Sequence, residues 1–212
     1  MNIPETVNLK QKLLTTIEKL KTPGQIKRGS PLTNVKLNDK VAKEIEYLTQ
    51  CVEAKNPNLY PLLYAVNLLD GIWKLEYSTS REIRALTSLK YGFQVGAVYQ
   101  VIDLKTKSFF NQAFVQHSLR LLSGNVLVTA TFEPAKENGC PLPNQKLNIN
   151  FDKRYLSIEK IGQIPTPKLS PFKVVPARNP PQRIPTFNIT YLDENLRIGR
   201  GGDGGLYILS KV

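Results

Sequence analysis

The fold is decided at residues 68–79, which read LLDGIWKLEYST. Every second residue from Trp73 to Tyr77 is apolar, and the residues between them are polar. Such alternation is typical of a strand with one buried face. Asp70-Gly71 stands directly before it and supplies a turn. The stretch therefore predicts the first long strand of a sheet.

Further strands are predicted downstream, separated by turn-forming residues. They fall at 95–102, 108–115, 125–132, 146–151, 155–161, 186–192, 195–200 and 206–209. The predicted turns lie at 103–107, 123–124, 138–139, 152–153 and 201–205, and one short helix is expected within 80–89. Many short strands with tight connections are typical of a β-barrel or a β-sandwich.

The first sixty residues have a helical pattern instead. Residues 5–21 and 39–55 each carry apolar residues at three- or four-residue steps, and Asn56-Pro57-Asn58 ends the second helix. A basic amphipathic helix can lie on a membrane, but packing against the chain's own domain is the interpretation we favour. We expect a helical segment at 1–61 and a barrel domain at 62–212.

Residues 162–185 form a distinct segment that holds seven of the fifteen prolines, four basic residues and no acid. We expect a long loop, because proline-rich stretches of this length seldom form regular elements. Its basic residues are candidates for contact with an anionic membrane or a protein partner, namely Lys168, Lys173, Arg178 and Arg183.

The net charge of +12 is spread evenly along the chain. This spread fits an anionic membrane, an acidic partner or simple solubility, and it does not favour a nucleic-acid partner, which usually requires a concentrated basic strip. Cys51 and Cys140 are too few and too far apart for a disulfide framework or a zinc site. No secretory signal, transit peptide or membrane-spanning run is recognised, so we expect a soluble or membrane-surface protein.

Catalytic patterns are weak in this sequence. His117 is the sole histidine, and Asp193-Glu194 is an adjacent acidic pair whose side chains would point apart in a strand. The glycines at 201–205 lack the lysine and helix of a phosphate-binding loop, so a hairpin turn is expected there. We expect no enzyme and no cofactor, with a lipid-processing enzyme that uses His117 or Asp193-Glu194 kept as a third hypothesis.

Trp73 has a further implication if the sheet closes. The first and last strands of a barrel are neighbours, so Arg197 or Arg200 can stack on the indole in a cation–π contact. Gly71-x-Trp73 with a late arginine resembles the arrangement that lipocalins use to close one end of the barrel.

Three blocks of sequence, in order, carry a wider resemblance: residues 68–79, residues 96–102 (GAVYQVI) and residues 191–201 (YLDENLRIGRG). They resemble the plastid lipid-associated protein (PAP)/fibrillin family. The resemblance implies a lipocalin-like antiparallel barrel of about eight strands, associated with photosynthetic membranes or lipid bodies. It assigns barrel closure to Gly71, Trp73, Asp193, Arg197 and Arg200. The unmatched segment 162–185 and the missing transit peptide depart from the family pattern, the latter indicating a cyanobacterial or processed form peripheral to thylakoid-type membranes.

The leading functional hypothesis is a non-enzymatic carrier or sequestering protein for an apolar lipid or isoprenoid, such as a prenylquinone or carotenoid. Besides Trp73, the candidate lining is Leu75, Tyr77, Val126, Val128, Ala130, Phe132, Phe187 and Ile189. The alternative is a structural or adaptor protein that docks on an anionic membrane or a protein through residues 162–185, with no internal ligand.

Overall fold

The structure is a computed structural model that describes residues 3–21, 29–136, 142–180 and 182–212. The predicted turn at 138–139, part of the loop before the second helix and Cys140 lie outside the described residues. The helices are α1 (Ile3–Leu20), α2 (Asp39–Glu53), α3 (Pro61–Tyr64) and α4 (Arg81–Thr87). Short 3₁₀ turns occupy Asn34–Lys36, Val66–Leu69 and Pro167–Leu169.

The helix ends follow local sequence. The Asn38 side chain accepts a hydrogen bond from the Val41 amide at the start of α2, and Ser80 does the same for Ile83 at the start of α4. Both contacts satisfy an amide that has no partner within the helix.

The strands are β1 (Leu32–Thr33), β2 (Gly71–Ser78), β3 (Phe93–Asp103), β4 (Ser108–His117), β5 (Leu122–Pro134), β6 (Lys146–Ile161), β7 (Ile164–Pro165), β8 (Lys173–Pro176), β9 (Thr186–Leu192), β10 (Leu196–Gly201) and β11 (Leu206–Lys211). Eight of them pair in the closed order β2-β11-β10-β9-β6-β5-β4-β3, and β3 pairs again with β2. Each of these pairs is antiparallel. The predicted mainly-β, eight-stranded barrel with an N-terminal helical segment is confirmed.

Strand β6 corrects one predicted turn. Residues 152–153 do not separate two strands, because pairing with β5 runs from Leu147 to Ile161 and shifts register between Val128 and Ala130. The polar pair is a bulge: the Lys153 amide donates to Thr129 Oγ1 at 3.2 Å. A bulge adds a residue to one strand and bends it without ending it.

Segment 162–185 also differs from the expected loop. Much of it folds back along β6 as β7 and β8, which pair with Lys160–Ile161 and Lys153–Leu156 respectively. The Asn179 side chain continues the pairing, since its Oδ1 and Nδ2 bond the Phe151 amide and carbonyl at 3.0 and 2.8 Å.

One side of the barrel is much longer than the other. Strand β9 pairs with β6 only at Lys146–Asn148, and β2 pairs with β3 only at Tyr99–Ile102. The pairings among β3, β4, β5 and β6 continue to Phe93, His117 and Ile161. We call these four strands the long wall. It projects beyond the closed part of the barrel.

Inside the closed part, apolar side chains pack into one continuous cluster. The buried members are Leu62, Ala65, Leu69, Trp73, Leu75, Val95, Val98, Ile102, Phe109, Ala113, Ala130, Leu147, Ile149, Ile189, Leu192 and Leu209. Ile83 and Leu86 of α4 pack against it from the side where β2 and β3 separate. The closed part therefore has a filled core.

A second apolar cluster lies between the outside of β9–β11 and β2 and the first two helices. It joins Leu13, Ile17, Leu32, Ile45, Leu48 and Val52 to Tyr77, Tyr191, Leu196, Ile198, Leu206 and Ile208. Polar contacts frame this interface: Lys10 of α1 bonds Asp193, and Lys21 bonds Glu76. The apolar stripes of α1 and α2 thus cover one outer face of the barrel.

Candidate functional site

Trp73 lies at the closed end of the barrel beneath two cations. The Arg197 guanidinium carbon is 4.8 Å from the ring centroid, and Lys211 Nζ is 4.5 Å from it. The indole Nε1 donates to the Leu69 carbonyl at 2.8 Å, which ties the strand to the 3₁₀ turn before it. Lys211 Nζ also donates to the Leu68 carbonyl at 2.8 Å. These contacts join β2, β10 and β11 to the 3₁₀ turn that precedes β2.

Arg197 is fully buried and has few polar partners. One terminal nitrogen donates to Gln100 Oε1, while Nε has no hydrogen-bond partner among the residues that the structure describes. Burial lowers the pKa of Arg197 to about 9, because the interior disfavours its charge. Burial, followed by repulsion from Arg197, also lowers the pKa of Lys211. The indole face is the main compensation available to the Arg197 charge.

Gln100 extends the hydrogen-bond network from Arg197 to the neighbouring strand β4. Its Nε2 donates to Asn111 Oδ1 at 2.9 Å, so the two residues join β3 to β4 on the inner side. Asn111 is half-buried and lies opposite Val128 of β5. A polar side chain therefore stands at the boundary between the filled core and the projecting part of the long wall.

The other two charged residues of the predicted closure have different positions. Arg200 faces outward and bonds Glu53 of α2 twice at 2.9 Å and Glu46 once at 2.8 Å, and the hydrogen bond with Glu53 is the main cause of its raised pKa. Asp193 holds α1 through Lys10 and accepts the Tyr191 hydroxyl. Neither contacts Trp73 directly, since both lie on the helix side of the barrel.

Gly71 starts β2 with a φ of +103°, a conformation that disfavours residues with a side chain. A Cβ there would stand 3.5 Å from Lys211 Cε. This glycine therefore allows the chain to turn from the 3₁₀ segment into β2 while Lys211 passes alongside.

Tyr77 is a correction to the predicted lining. Leu75 pairs with Leu209 but Tyr77 pairs with Ile208, so Glu76 is an extra residue in β2. This bulge reverses which side each later residue faces. Tyr77 consequently packs with the helices, and burial raises its pKa to about 12.

The remaining lining candidates lie on the inner side at two depths. Leu75, Ala130 and Ile189 are buried in the filled core, and Phe132 and Phe187 pack against it. Val126 and Val128 are only half-buried, and Arg154, the partner of Val128 on β6, lies beyond the residues of β6 that pair with β9. The structure thus separates a core set from a solvent-accessible set.

The accessible set continues onto neighbouring strands of the long wall. Register places Val115, Val126, Val128, Leu156 and Ile158 on the same inner side as the buried Ala113 and Ala130, and it also places the exposed Arg154 there, opposite Val128. All five are half-buried. We call these five residues the open apolar face. Its chemistry suits an apolar molecule that would complete their burial.

The four basic candidates of 162–185 lie at the surface. Lys168 is in a 3₁₀ turn and Lys173 begins β8, while Arg178 and Arg183 follow β8; all four are exposed. Arg183 also borders a cleft of about 460 Å³ whose lining combines polar residues such as Glu133 and Asn148 with apolar ones such as Phe132 and Ile149. These four basic side chains do not form a single site with the open apolar face.

The residues considered for catalysis, His117 and Asp193-Glu194, lie in different parts of the fold. His117 ends β4 and packs edge-on against Phe93, with ring centroids 5.3 Å apart, whereas Asp193 lies in the turn before β10. Within the described ranges, no group of three or more His, Cys, Asp or Glu residues could hold a metal ion. Of the helices described, none has both the length and the apolar character needed to cross a membrane.

Comparison with known proteins agrees with this architecture. The PAP_fibrillin family profile matches residues 8–210. The chain belongs to the PAP/fibrillin family. The matched range includes most of α1 and all of α2 as well as the barrel strands. No solved structure gives a significant match to the chain.

Three curated relatives of this PAP/fibrillin chain illustrate the similarity. Probable plastid-lipid-associated protein 3 of Oryza sativa subsp. japonica is 25% identical over 86% of this chain and 55% of its own length. Plastid-lipid-associated protein 6 of Arabidopsis thaliana is 31% identical over 66% and 51%. A chromoplast-specific carotenoid-associated protein of Cucumis sativus is 27% identical over 82% and 61%. The chain spans less than two thirds of these relatives.

Sequence reasoning missed two elements of this site. Lys211 joins Arg197 over Trp73, and Gln100 receives the guanidinium. Closure of the barrel offered a signal for Lys211, because it lies in the last strand, which neighbours the first. Gln100 had no comparable signal, since an inward polar residue in a strand is recognised only once the register is known.

Proposed function

We propose that this chain binds an apolar lipid, such as a prenylquinone, a carotenoid or a similar isoprenoid, without changing it chemically. The observation that carries the proposal is the open apolar face, where half-buried aliphatic side chains continue from a filled core onto an uncovered wall. Family membership supports the ligand class, because relatives are named as plastid-lipid-associated or carotenoid-associated proteins.

The energetics favour a flat, elongated ligand over one enclosed in the barrel. The closed part is occupied by its own side chains, whereas the open apolar face retains surface in contact with water. Covering about 100 Å² of apolar surface stabilises a complex by about 2.5 kcal/mol. A polyisoprenoid chain lying along the inner side of β5 and β6 would gain this contribution several times over.

Asn111 supplies a polar contact for one end of such a ligand. Its Oδ1 accepts from Gln100, which leaves the Nδ2 group able to donate. A carbonyl or hydroxyl oxygen beside Val128 would be within the same part of the inner side. We therefore place a quinone-like or hydroxylated end group near Asn111 and the apolar tail towards Ile158.

Equilibrium binding of a prenylquinone or carotenoid in solution tests this proposal. Val128→Gln places a polar group on the open apolar face and should weaken binding at least ten-fold. Leu127→Gln is the matched control, because Leu127 is half-buried on the opposite side of the same strand. Equal affinities for both variants would contradict the proposed site.

A structural or adaptor role is the second candidate, favoured by the four exposed cations of segment 162–185. Each basic residue near an anionic membrane contributes about 1 kcal/mol to binding. The combined variant with glutamine at Lys168, Lys173, Arg178 and Arg183 should then lose vesicle flotation and keep ligand binding. The non-enzymatic proposal has its own test: lipid turnover by the wild-type chain that His117→Ala abolishes would contradict it.

We further propose peripheral attachment at photosynthetic membranes or lipid bodies. The relatives compared above carry chloroplastic or chromoplastic names, and the even positive charge of this chain suits an anionic surface. Fractionation of cells that express the tagged protein tests this placement. The protein should be recovered with membranes and should be released from them by high salt.

A further inference from the structure

Three neighbouring turns at the far end of the long wall expose large apolar side chains. Tyr91 is 88% exposed and Leu119 and Ile164 are each 71% exposed, and Leu121 and Ile161 are exposed beside them. We call residues 89–92, 118–121 and 161–164 the apolar tip. Large apolar residues clustered at one extremity of a fold mark an interaction surface more often than isolated ones do.

The three turns are held side by side by backbone contacts. The Ser118 amide donates to the Gly92 carbonyl at 2.8 Å, and the Gly162 amide donates to the Leu121 carbonyl at 2.8 Å. Leu122 pairs directly with Ile161. The exposed residues therefore form one surface, and these inner polar groups are already satisfied.

Local backbone conformation fixes the outward direction of part of this surface. Tyr91 and Arg120 both have a φ of 57°, in the left-handed region that non-glycine residues seldom occupy. The contact of His117 with Phe93 packs beneath these turns. The Tyr91 side chain is thus exposed to water, and its backbone has an uncommon conformation.

The exposed charges of the apolar tip and its border have one sign, whereas Glu159, next to Lys160, is half-buried and accepts a hydrogen bond from Asn125. Lys90 and Arg120 lie within the turns, and Lys160 lies at the end of β6 beside them. Residues 88–93, 117–122 and 160–165 contain no Asp or Glu. Apolar side chains surrounded by basic ones match the interface of an anionic bilayer, where apolar groups enter the acyl boundary and cations contact headgroups.

We propose that the apolar tip docks this protein on an anionic lipid bilayer. Tyr91, Leu119 and Ile164 insert at the headgroup level, and Lys90, Arg120 and Lys160 contact lipid phosphates. The proposal rests on the peripheral membrane attachment proposed above, for which it names the docking surface, and it does not depend on ligand binding. It also brings the open apolar face next to the membrane, because both lie on the projecting part of the long wall.

A second copy of the chain is a poorer occupant of this surface. A symmetric dimer through the apolar tip would bring Lys90, Arg120 and Lys160 against the same residues of its partner. Like charges held together in a partly apolar interface oppose association. An anionic bilayer provides headgroups for the basic residues and an acyl boundary for the apolar ones.

Sedimentation with vesicles tests the charge requirement, using phosphatidylcholine alone and phosphatidylcholine with phosphatidylglycerol. The triple variant Lys90→Gln, Arg120→Gln, Lys160→Gln should bind the anionic vesicles at least twenty-fold more weakly, since each cation near the surface contributes about five-fold. The control variant Lys12→Gln, Lys40→Gln, Lys43→Gln has the same net charge and alters exposed helical residues. It should lose less than three-fold. Equal losses, or equal binding of the wild type to both vesicles, would overturn the proposal.

Depth-dependent quenching tests insertion itself. Leu119→Trp should gain fluorescence that brominated lipids quench, because its indole enters the bilayer interface. Tyr64→Trp is the control, since Tyr64 is 81% exposed on α3 away from the tip. Quenching at both positions, or at neither, would overturn the proposal, as would tip variants that abolish self-association while vesicle binding persists.

These outcomes remain separable from those for the ligand site. Val128→Gln should bind vesicles like the wild type even though it loses the prenylquinone. The tip charge variant should bind the same prenylquinone in solution with unchanged affinity. Loss of vesicle binding in Val128→Gln would contradict the assignment of docking to the apolar tip.

Discussion

The Arg197 guanidinium lies 4.8 Å from the centroid of the Trp73 indole, and both side chains are fully buried. Arg197 comes from β10 and Trp73 from β2, strands that are separated by β11. Their contact therefore passes over β11 on the inner side of the barrel. It places a buried cation directly against the apolar core.

Replacing Trp73 by alanine should lower the free energy of unfolding by about 4 kcal/mol, because it opens a cavity and removes the ring from a buried cation. Chemical denaturation measures this change. Ile72→Ala is the matched control, since Ile72 is adjacent but exposed, and it should cost less than about 1 kcal/mol. Similar costs at the two positions would contradict the closure assigned to Trp73.

Arg200 should matter for helix attachment and much less for the closed end. Its paired contacts with Glu53 predict a coupling energy of about 1–2 kcal/mol in a double-mutant cycle of Arg200→Gln and Glu53→Gln. Glu44→Gln, on an exposed position of the same helix, should show no coupling to Arg200. Coupling of Arg200 to Trp73 instead would restore the closure role predicted from sequence.

Acid should weaken the attachment of the helical segment. Burial opposes ionisation of Asp193 and Glu76, but hydrogen bonds from Lys10 and Lys21, among others, outweigh it and lower both pKa values. Carboxyls with a lowered native pKa stabilise the fold above their ordinary values near about 4, and this contribution is lost as the pH falls through the native values.

Thermal unfolding between neutral pH and about pH 3 measures this loss. Asp193→Asn should be less stable than the wild type at neutral pH, and the difference should shrink as the pH falls. A difference that stays constant with pH would show that the Asp193 charge contributes nothing.

Gly199 should not tolerate a methyl group. A Cβ there would lie 2.2 Å from Phe187 Cζ and 2.8 Å from the Asn188 carbonyl oxygen, so Gly199→Ala should cost about 1–3 kcal/mol. Gly96 is the strand control, because its nearest neighbour would be at 3.5 Å, an ordinary contact. Gly96→Ala should change stability by no more than about 0.5 kcal/mol. Equal costs would argue against the tight packing of Phe187 on β10.

The alternating pattern from Trp73 onward predicted the strands because these depend on local sequence, but the turn predicted at residues 123–124 was wrong, since both residues pair within β5. It misplaced Tyr77 because the bulge at Glu76 is set by pairing with β11, which strand alternation alone does not reveal. It likewise divided β6 at residues 152–153, where polar residues form a bulge. Resemblance supplied Arg197 and Arg200 together, although their three-residue spacing in a regular strand already places them on opposite faces, as the register shows.

The unequal length of the two sides of the barrel could not be predicted from sequence. It arises because β9 and β2 meet the long wall through only a few residues each. The open apolar face and the apolar tip both follow from this geometry. The proximity of the tip residues depends on three separate turns that lie far apart in the sequence.

Photocrosslinking with a diazirine-bearing prenylquinone tests the central claim most directly, with the labelled residues mapped by mass spectrometry. Labelling is predicted at Val126, Val128, Leu156 and Ile158, with suppression by excess unlabelled quinone. Suppressible labelling confined to outward-facing residues of the same strands, such as Leu127 and Tyr155, would contradict the claim that the inner side of the long wall holds the lipid.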